Sequence, residues 1–253
     1  MCALKLDKLK NIDIIGDVHG CYDELCLLLE KLGYALDESC ITSNQPALKH
    51  SDNRKIVFVG DLVDRGPKIK QVLLLAENII KHGGGYCVLG NHEDKLCRYL
   101  KGNPVNIGPG LQTTIDQLEP ISSENKKTLV AMLEGLPTHI MFDDKNLIVV
   151  HAGLQEKYHG VSSKRERVFA LYGDVTGRVD DFGLPIRGHW EHDYKGKAYV
   201  VYGHTPVESA TWCNKTICID TGCVFGNKLT ALRYPQMDII EVEAGKNYFQ
   251  SMK

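Results

Sequence analysis

The sequence is most informative first in what it lacks. No stretch of about 18 consecutive apolar residues occurs, so no membrane-spanning helix is expected. The N-terminus, MCALKLDKLKNIDIIG, has no basic segment followed by an apolar core and a small-residue cleavage site, so it does not read as a secretory leader. No G-x-x-x-x-G-K-[ST] loop is present, which removes a kinase-type phosphate cradle. The nine cysteines are odd in number and contain no C-x-x-C pair. Cys26, Cys87 and Cys218 lie in apolar runs, which points to reduced thiols and a cytoplasmic location rather than a disulfide framework. Cys213, Cys218 and Cys223 recur in five-residue steps, a spacing that matches no usual zinc site. Charge of one sign is also missing: 30 Lys and Arg against 32 Asp and Glu leave a net −2, so composition demands no polyanionic partner.

What remains is an ordinary globular chain of 253 residues, 43% hydrophobic and 25% charged, without repeat, low-complexity tract or linker. A single domain spanning 1–253 is expected. One pattern recurs along it: a short β-branched apolar run ending in Gly or in a polar residue able to bind a cation. The runs are Ile12–Ile15, Ile56–Val59, Tyr86–Leu89, Leu147–Val150, Tyr199–Tyr202 and Thr216–Ile219. Four or five such residues bounded by turn signals read as buried strands. Tyr22–Leu32 and Lys68–His82 between the first strands carry helical periodicity, giving a layered α/β class. From His92 to Thr138 the strand signal gives way to helices over His92–Lys101, Leu111–Glu119 and Ser122–Glu134, an expected insertion over about 92–138 beside the site. Leu154–Lys197 is polar with little periodicity and is expected to be irregular and to border the substrate.

Ligands in open α/β sheets bind beyond the carboxyl ends of the strands, and six strand ends here deliver polar side chains. Asp17 and His19 sit at i and i+2 between glycines, so both can face one ion. Asp61 can bridge two cations. Asn91 and His92 follow the third strand, and His151 and His204 end two later ones. Mixed oxygen and nitrogen donors without thiolate suit Mn, Fe, Zn or Ni better than Ca.

Gly16-Asp-Val-His-Gly20, Gly60-Asp-Leu-Val-Asp-Arg-Gly66, Gly90-Asn-His-Glu93, His151-Ala-Gly153 and Gly203-His-Thr205 together resemble the signature of the phosphoprotein-phosphatase superfamily of metallophosphoesterases. The resemblance implies the calcineurin-like fold, a central β-sandwich flanked by helices, with two divalent metals at its edge, manganese first and nickel, iron or zinc as alternatives. It implies that Asp17, His19 and Asp61 hold one metal, and Asp61, Asn91, His151 and His204 the other. It implies further that His92 protonates the leaving oxygen, oriented by Asp64, while Arg65 and Asn91 bind the phosphate, and that a metal-activated water attacks it. A turn residue is the alternative reading of Asp64.

Pro206 stands where the wider group, nucleases included, often carries a second His. Leu89 stands where eukaryotic protein phosphatases carry Arg. Ala170–Gly177, Gly183–Arg187, Val200–Pro206, Ile219–Gly226 and Lys228–Pro235 resemble the phosphatase module of bacterial polynucleotide kinase-phosphatase and the related diadenosine-tetraphosphate hydrolases. Spacing favours the repair module, so the expected substrate is a nucleotide or nucleic-acid 2′- or 3′-phosphate end, with a link to a kinase or ligase module. The alternatives are a dinucleoside tetraphosphate hydrolase, a protein serine/threonine phosphatase, and a catalytically silent scaffold. Asp220 reads either as an acid at the site edge or as a turn aspartate. Arg187, between apolar and aromatic neighbours, is expected to reach the pocket. Lys164–Arg167 and Arg178 read either as phosphate contacts or as a solvated face.

Overall fold

The computed structural model describes residues 3–43, 45–179 and 185–250. Gly183 and Leu184, part of one quoted motif, lie outside the described residues. The strands are β1 (Leu4–Leu6), β2 (Ile12–Ile15), β3 (Tyr34–Leu36), β4 (Leu48–His50), β5 (Lys55–Phe58), β6 (Gly85–Cys87), β7 (His139–Phe142), β8 (Leu147–Val150), β9 (Val175–Val179), β10 (Pro185–Arg187), β11 (Tyr199–Tyr202), β12 (Trp212–Cys213), β13 (Thr216–Cys218), β14 (Lys228–Tyr234) and β15 (Asp238–Glu243). The helices are α1 (Tyr22–Lys31), α2 (Ser39–Thr42), α3 (Ile69–Lys81), α4 (Asn91–Leu100), α5 (Pro109–Leu118), α6 (Ser123–Gly135), α7 (Lys164–Tyr172) and α8 (Trp190–Asp193).

Two sheets face each other. One has the order β1-β7-β8-β11-β13-β12 and the other β15-β14-β2-β5-β6. Alternation along each strand builds the layers. Ile12, Ile14, Val57 and Val59 face Ile140, Phe142, Val149, Val201 and Ile217 between the sheets. The alternate residues Ile15, Ile56 and Phe58 turn outward under α1 and α3, meeting Leu25, Leu28, Leu29, Val72 and Leu75. On the other sheet, Met141, Ile148, Val150 and Val200 pack under Trp190, Tyr194 and Ala170. Each fully buried Leu, Ile or Phe side chain contributes about 1.5–3 kcal/mol, so three apolar layers hold the frame. Because both faces of the central strands are covered, they read as unbroken apolar runs, which is why their positions were visible in the sequence.

Asp13 is the exception inside β2. It is fully buried, and its carboxylate accepts from Arg54 at 2.8 and 2.9 Å, Arg233 at 3.0 Å and Tyr34 at 2.8 Å. These partners tie β2 to the loop before β5 and to β14.

The parallel strands β2, β5 and β6 in one sheet and β8, β11 and β13 in the other end at the loops that carry the candidate ligands. Helices α4, α5 and α6 form where an insertion was expected. The reading of Leu154–Lys197 as irregular is corrected: it contains α7, the β9–β10 hairpin and α8. Helix α7 is short, starts on a Ser163 cap that accepts from the Glu166 N–H at 3.1 Å, and buries only Glu166, Ala170 and Leu171, too few positions for a clear period. Strand β9 is exposed along its length and so lacks alternation.

Candidate active site

The six loops converge on Asp61. Five residues of the cluster adopt a left-handed backbone that L-residues with side chains rarely take: His19 (φ 42°), Asp61 (50°), Asp64 (72°), Arg65 (71°) and His204 (78°). Hydrogen bonds between loops fix these turns. The His19 N–H donates to Asp61 O at 2.8 Å, and the Gly203 N–H to His151 O at 2.7 Å. Two glycines make room: a Cβ on Gly203 would stand 1.9 Å from Asp17 Oδ1, and one on Gly90 would stand 2.4 Å from both Asp61 Oδ1 and Glu93 Oε2.

The imidazoles are oriented by backbone carbonyls. His19 Nδ1 lies 2.6 Å from Val63 O and His151 Nδ1 2.9 Å from Val59 O. Donation there leaves each Nε2 as a lone pair turned into the cluster. His19 Nε2 is 3.5 Å from Asp61 Oδ2, and His151 Nε2 is 3.4 Å from Asp61 Oδ1. His151 Nε2 also faces Asn91 Oδ1 at 2.9 Å and His204 Nδ1 at 3.0 Å. Among the described residues, His19, Asp61 and His92 form one group of ligand atoms within 4.8 Å of one another, and Asp61, His151 and His204 a second. Asp61 belongs to both. Asp17 falls in neither group; its oxygens accept from the His204 N–H at 3.1 and 3.3 Å. Arg65 Nη1 stands 2.5 Å from His19 Nε2, so a cation on that nitrogen displaces the guanidinium.

Charge agrees with a cation-binding role. Asp17, Asp61, Glu93 and Asp220 are all nearly or fully buried. Burial, and then the charges of Asp220 and Asp61, push Asp17 well above the usual carboxylate range. Glu93 is pushed up to about 7 by burial and Asp61, and Asp220 to about 7, also chiefly by burial. Burial raises Asp61 as well, but the charge that His151, His92 and His19 carry when protonated outweighs it, so Asp61 is held low and stays ionised once those imidazoles are neutral. Burial lowers His19, His151 and His204, the last to about 2, which keeps their nitrogens free to bind a cation. Buried carboxylates in excess around neutral imidazoles and an amide oxygen are a donor set that fits divalent cations.

His92 stands apart from this logic. Its Nδ1 lies 2.5 Å from Asp64 Oδ2. Burial lowers its pKa, but the Asp61 charge and the Asp64 hydrogen bond outweigh burial, so it sits above the ordinary value. Asp64 is itself fixed by Thr114 of α5, whose hydroxyl meets Oδ1 at 2.5 Å and accepts from the Asp64 N–H at 2.9 Å. Asp220 accepts from the Gly222 N–H at 3.0 Å, the geometry of a turn aspartate, yet it is buried beside Asp17. Arg187 is half-buried and donates to Tyr172 O. Lys164, Arg165 and Arg178 are exposed, and Arg167 pairs with Asp94 at 2.5 Å.

Glu93 has a part that sequence reasoning missed. Fully buried one turn into α4, it accepts from the backbone N–H groups of Asp61 (2.7 Å), Leu62 (2.8 Å) and Val63 (3.2 Å) and so anchors the turn that presents Asp61. Its place in the Gly90-Asn-His-Glu93 run was the available signal.

The model of the calcineurin-like phosphoesterase family matches residues 10–240. The chain belongs to the calcineurin-like phosphoesterases. The phosphoesterase is 44% identical over 243 residues to the asymmetrical bis(5′-nucleosyl)-tetraphosphatase PrpE of Bacillus subtilis, covering 94% of this chain and 97% of that protein. It is also 44% identical to the enzyme of the same name from Oceanobacillus iheyensis, covering 92% of each. A crystal structure assigned provisionally to a diadenosine tetraphosphatase superposes with a TM-score of 0.67 at 24% identity, over 96% of this chain and 98% of that one. A yeast protein serine/threonine phosphatase superposes with a TM-score of 0.62 at 15% identity, over 99% of this chain and 84% of that one. These two likenesses show the fold. The family and its named relatives make the chain a phosphatase-type hydrolase, which sets aside the silent scaffold. The chemistry of the family implies divalent metal ions. No helix among the described residues is long and apolar enough to cross a membrane.

Proposed function

We propose that this phosphoesterase hydrolyses dinucleoside tetraphosphates asymmetrically, to a nucleoside triphosphate and a nucleoside monophosphate. The observation that carries the reading is the 41–44% identity to tetraphosphatases of that description over nearly the full length of both chains. It supports this reading better than the nucleic-acid 2′- or 3′-phosphate end favoured by the spacing between strand ends.

The residues suit a polyanion. Arg65 makes no ion pair with any described carboxylate, so its planar fork is free for phosphate oxygens. Arg187, whose charge is felt at His151 and His204, stands on the same border. Asp17, His19 and Asp61 on one side, and Asp61, Asn91, His151 and His204 on the other, are the residues to hold the cations, and manganese, iron, nickel and zinc share these donors. Such ions supply an acidified water and neutralise charge in the in-line transition state. Asn91, whose Oδ1 lies 2.9 Å from His151 Nε2, is also assigned to phosphate binding. Asp64 keeps the proton on His92 Nδ1, and His92 Nε2–H then faces the leaving oxygen as general acid. Asp220 keeps its carboxylate at the site edge, acting on Asp17 through charge.

The test is to offer the Mn²⁺-loaded protein diadenosine tetraphosphate and a 3′-phosphorylated oligonucleotide in parallel, with products separated by chromatography. ATP and AMP in equal amounts support the proposal. Phosphate released from the oligonucleotide without dinucleotide cleavage sinks it and restores the repair reading.

A further inference from the structure

We infer that the C-terminal segment Ala244–Phe249 completes the phosphate site, with Phe249 and Phe225 acting as positioning residues for Arg65. This rests on Arg65 being a phosphate-binding group.

After β15 the chain turns back onto the frame and is pinned at several points. The Ala244 N–H donates to Asn227 O at 2.8 Å, and the Tyr248 and Phe249 N–H groups donate to Val224 O at 3.0 and 3.1 Å. Glu24 of α1, 3% exposed, accepts on Oε1 from the Gly245 N–H at 2.9 Å and the Tyr248 hydroxyl at 2.7 Å. These bonds set the Phe249 ring beside Phe225, with centroids 6.4 Å apart. The Arg65 guanidinium carbon stands over both rings, 5.4 Å from the Phe225 centroid and 6.0 Å from that of Phe249. The matched family region stops at residue 240, before this segment begins.

The choice of partner has a chemical reason. A carboxylate beside Arg65 would neutralise its charge and occupy its N–H groups. A ring face attracts the guanidinium through its quadrupole while leaving the charge and the five donors for a phosphate. The guanidinium's other side-chain partner is His19 Nε2, a nitrogen expected to face a cation; once that contact is given up, the two rings remain to aim the fork. Two pinned aromatic rings therefore do for Arg65 what Asp64 does for His92.

The experiment compares Phe249→Leu, which keeps apolar bulk but loses the ring face, with Phe249→Tyr, Arg65→Ala and the Phe249→Leu/Arg65→Ala double variant. The readouts are kcat and KM on diadenosine tetraphosphate and inhibition by inorganic phosphate. A cation–π contact of ordinary strength sets the expected effect: Phe249→Leu lowers kcat/KM about 3–10-fold and weakens phosphate inhibition similarly. Phe249→Tyr stays within about twofold, and Phe249→Leu adds nothing once Arg65 is gone. Phe225→Leu, which leaves the tail intact, should reproduce the pattern. Wild-type kinetics in both Leu variants while Arg65→Ala is impaired, or an undiminished loss in the double variant, overturns the positioning role. Wild-type phosphate inhibition in Arg65→Ala instead removes the reading of Arg65 beneath it.

Discussion

Glu93→Gln changes one atom type and leaves shape almost untouched, so it isolates what the carboxylate does. Both oxygens are committed: Oε2 to the Asp61 N–H, Oε1 to those of Leu62 and Val63. An amide supplies only one acceptor. In its better orientation the amide nitrogen faces the Asp61 N–H, donor against donor at 2.7 Å, and the other two bonds lose their charge assistance. One buried unsatisfied donor costs about 1–3 kcal/mol, and each charged acceptor made neutral loses about 1 kcal/mol more. Relief of the repulsion between Glu93 and Asp61 opposes this, because both carboxylates are buried together. The net expectation is about 2–4 kcal/mol, and the strain falls on the turn that holds Asp61. Urea unfolding of the metal-free variant should show that loss, and metal titration should show weaker binding. A Glu93→Gln protein as stable as wild type, with unchanged metal affinity, would refute the anchoring role.

Other perturbations separate the remaining groups. His92→Ala should keep bound metal yet lose about 10²–10⁴-fold in turnover on alkyl phosphates, which need a protonated leaving oxygen. Activated anhydrides and aryl esters should suffer less, and loss of metal in this variant would show that His92 is a ligand. Arg187→Ala should weaken phosphate-ester turnover more than Lys164→Ala, because Arg187 is half-buried near His151 and His204 while Lys164 is exposed; equal loss in both would contradict this. Metal-free protein should lose stability as pH rises from about 6.5 to 8. The folded pKa values of Glu93 and Asp220, about 7, and of Asp17, held well above the usual carboxylate range, exceed the unfolded values, so their stabilising contribution is complete below the unfolded values and is lost as pH rises toward and through the folded ones. His19, His151 and His204, with lowered values, act in the opposite sense only below their unfolded pKa near 6.5. Saturating divalent metal should flatten the slope, and a rise in metal-free stability across that window would count against the buried-carboxylate account.

The candidate site was legible because each central strand is covered on both faces, which makes the run apolar and its polar last residue conspicuous. Asp17, His19, Asp61, Asn91, His92, His151 and His204 all sit where such runs stop. Glu93 was opaque, since a glutamate near a helix start resembles a surface residue until the Asp61 turn is seen folding over it. Thr114, Phe225 and Phe249 act across long sequence separations that no local period encodes. Strands β14 and β15 carry charged residues that pair laterally, as Lys228 does with Glu241 at 2.9 Å, and this hides their alternation. Spacing between ligand residues is a weak guide to substrate, because it reflects inserted helices and loops rather than the shape of the pocket.

Metal dependence and product identity are read together by titrating metal-stripped protein with Mn²⁺ while following diadenosine tetraphosphate by chromatography. Activity should grow as two equivalents bind per chain, and ATP and AMP should accumulate in equal amounts. Full activity in the presence of a chelator, or no dinucleotide cleavage with both equivalents bound, would contradict it.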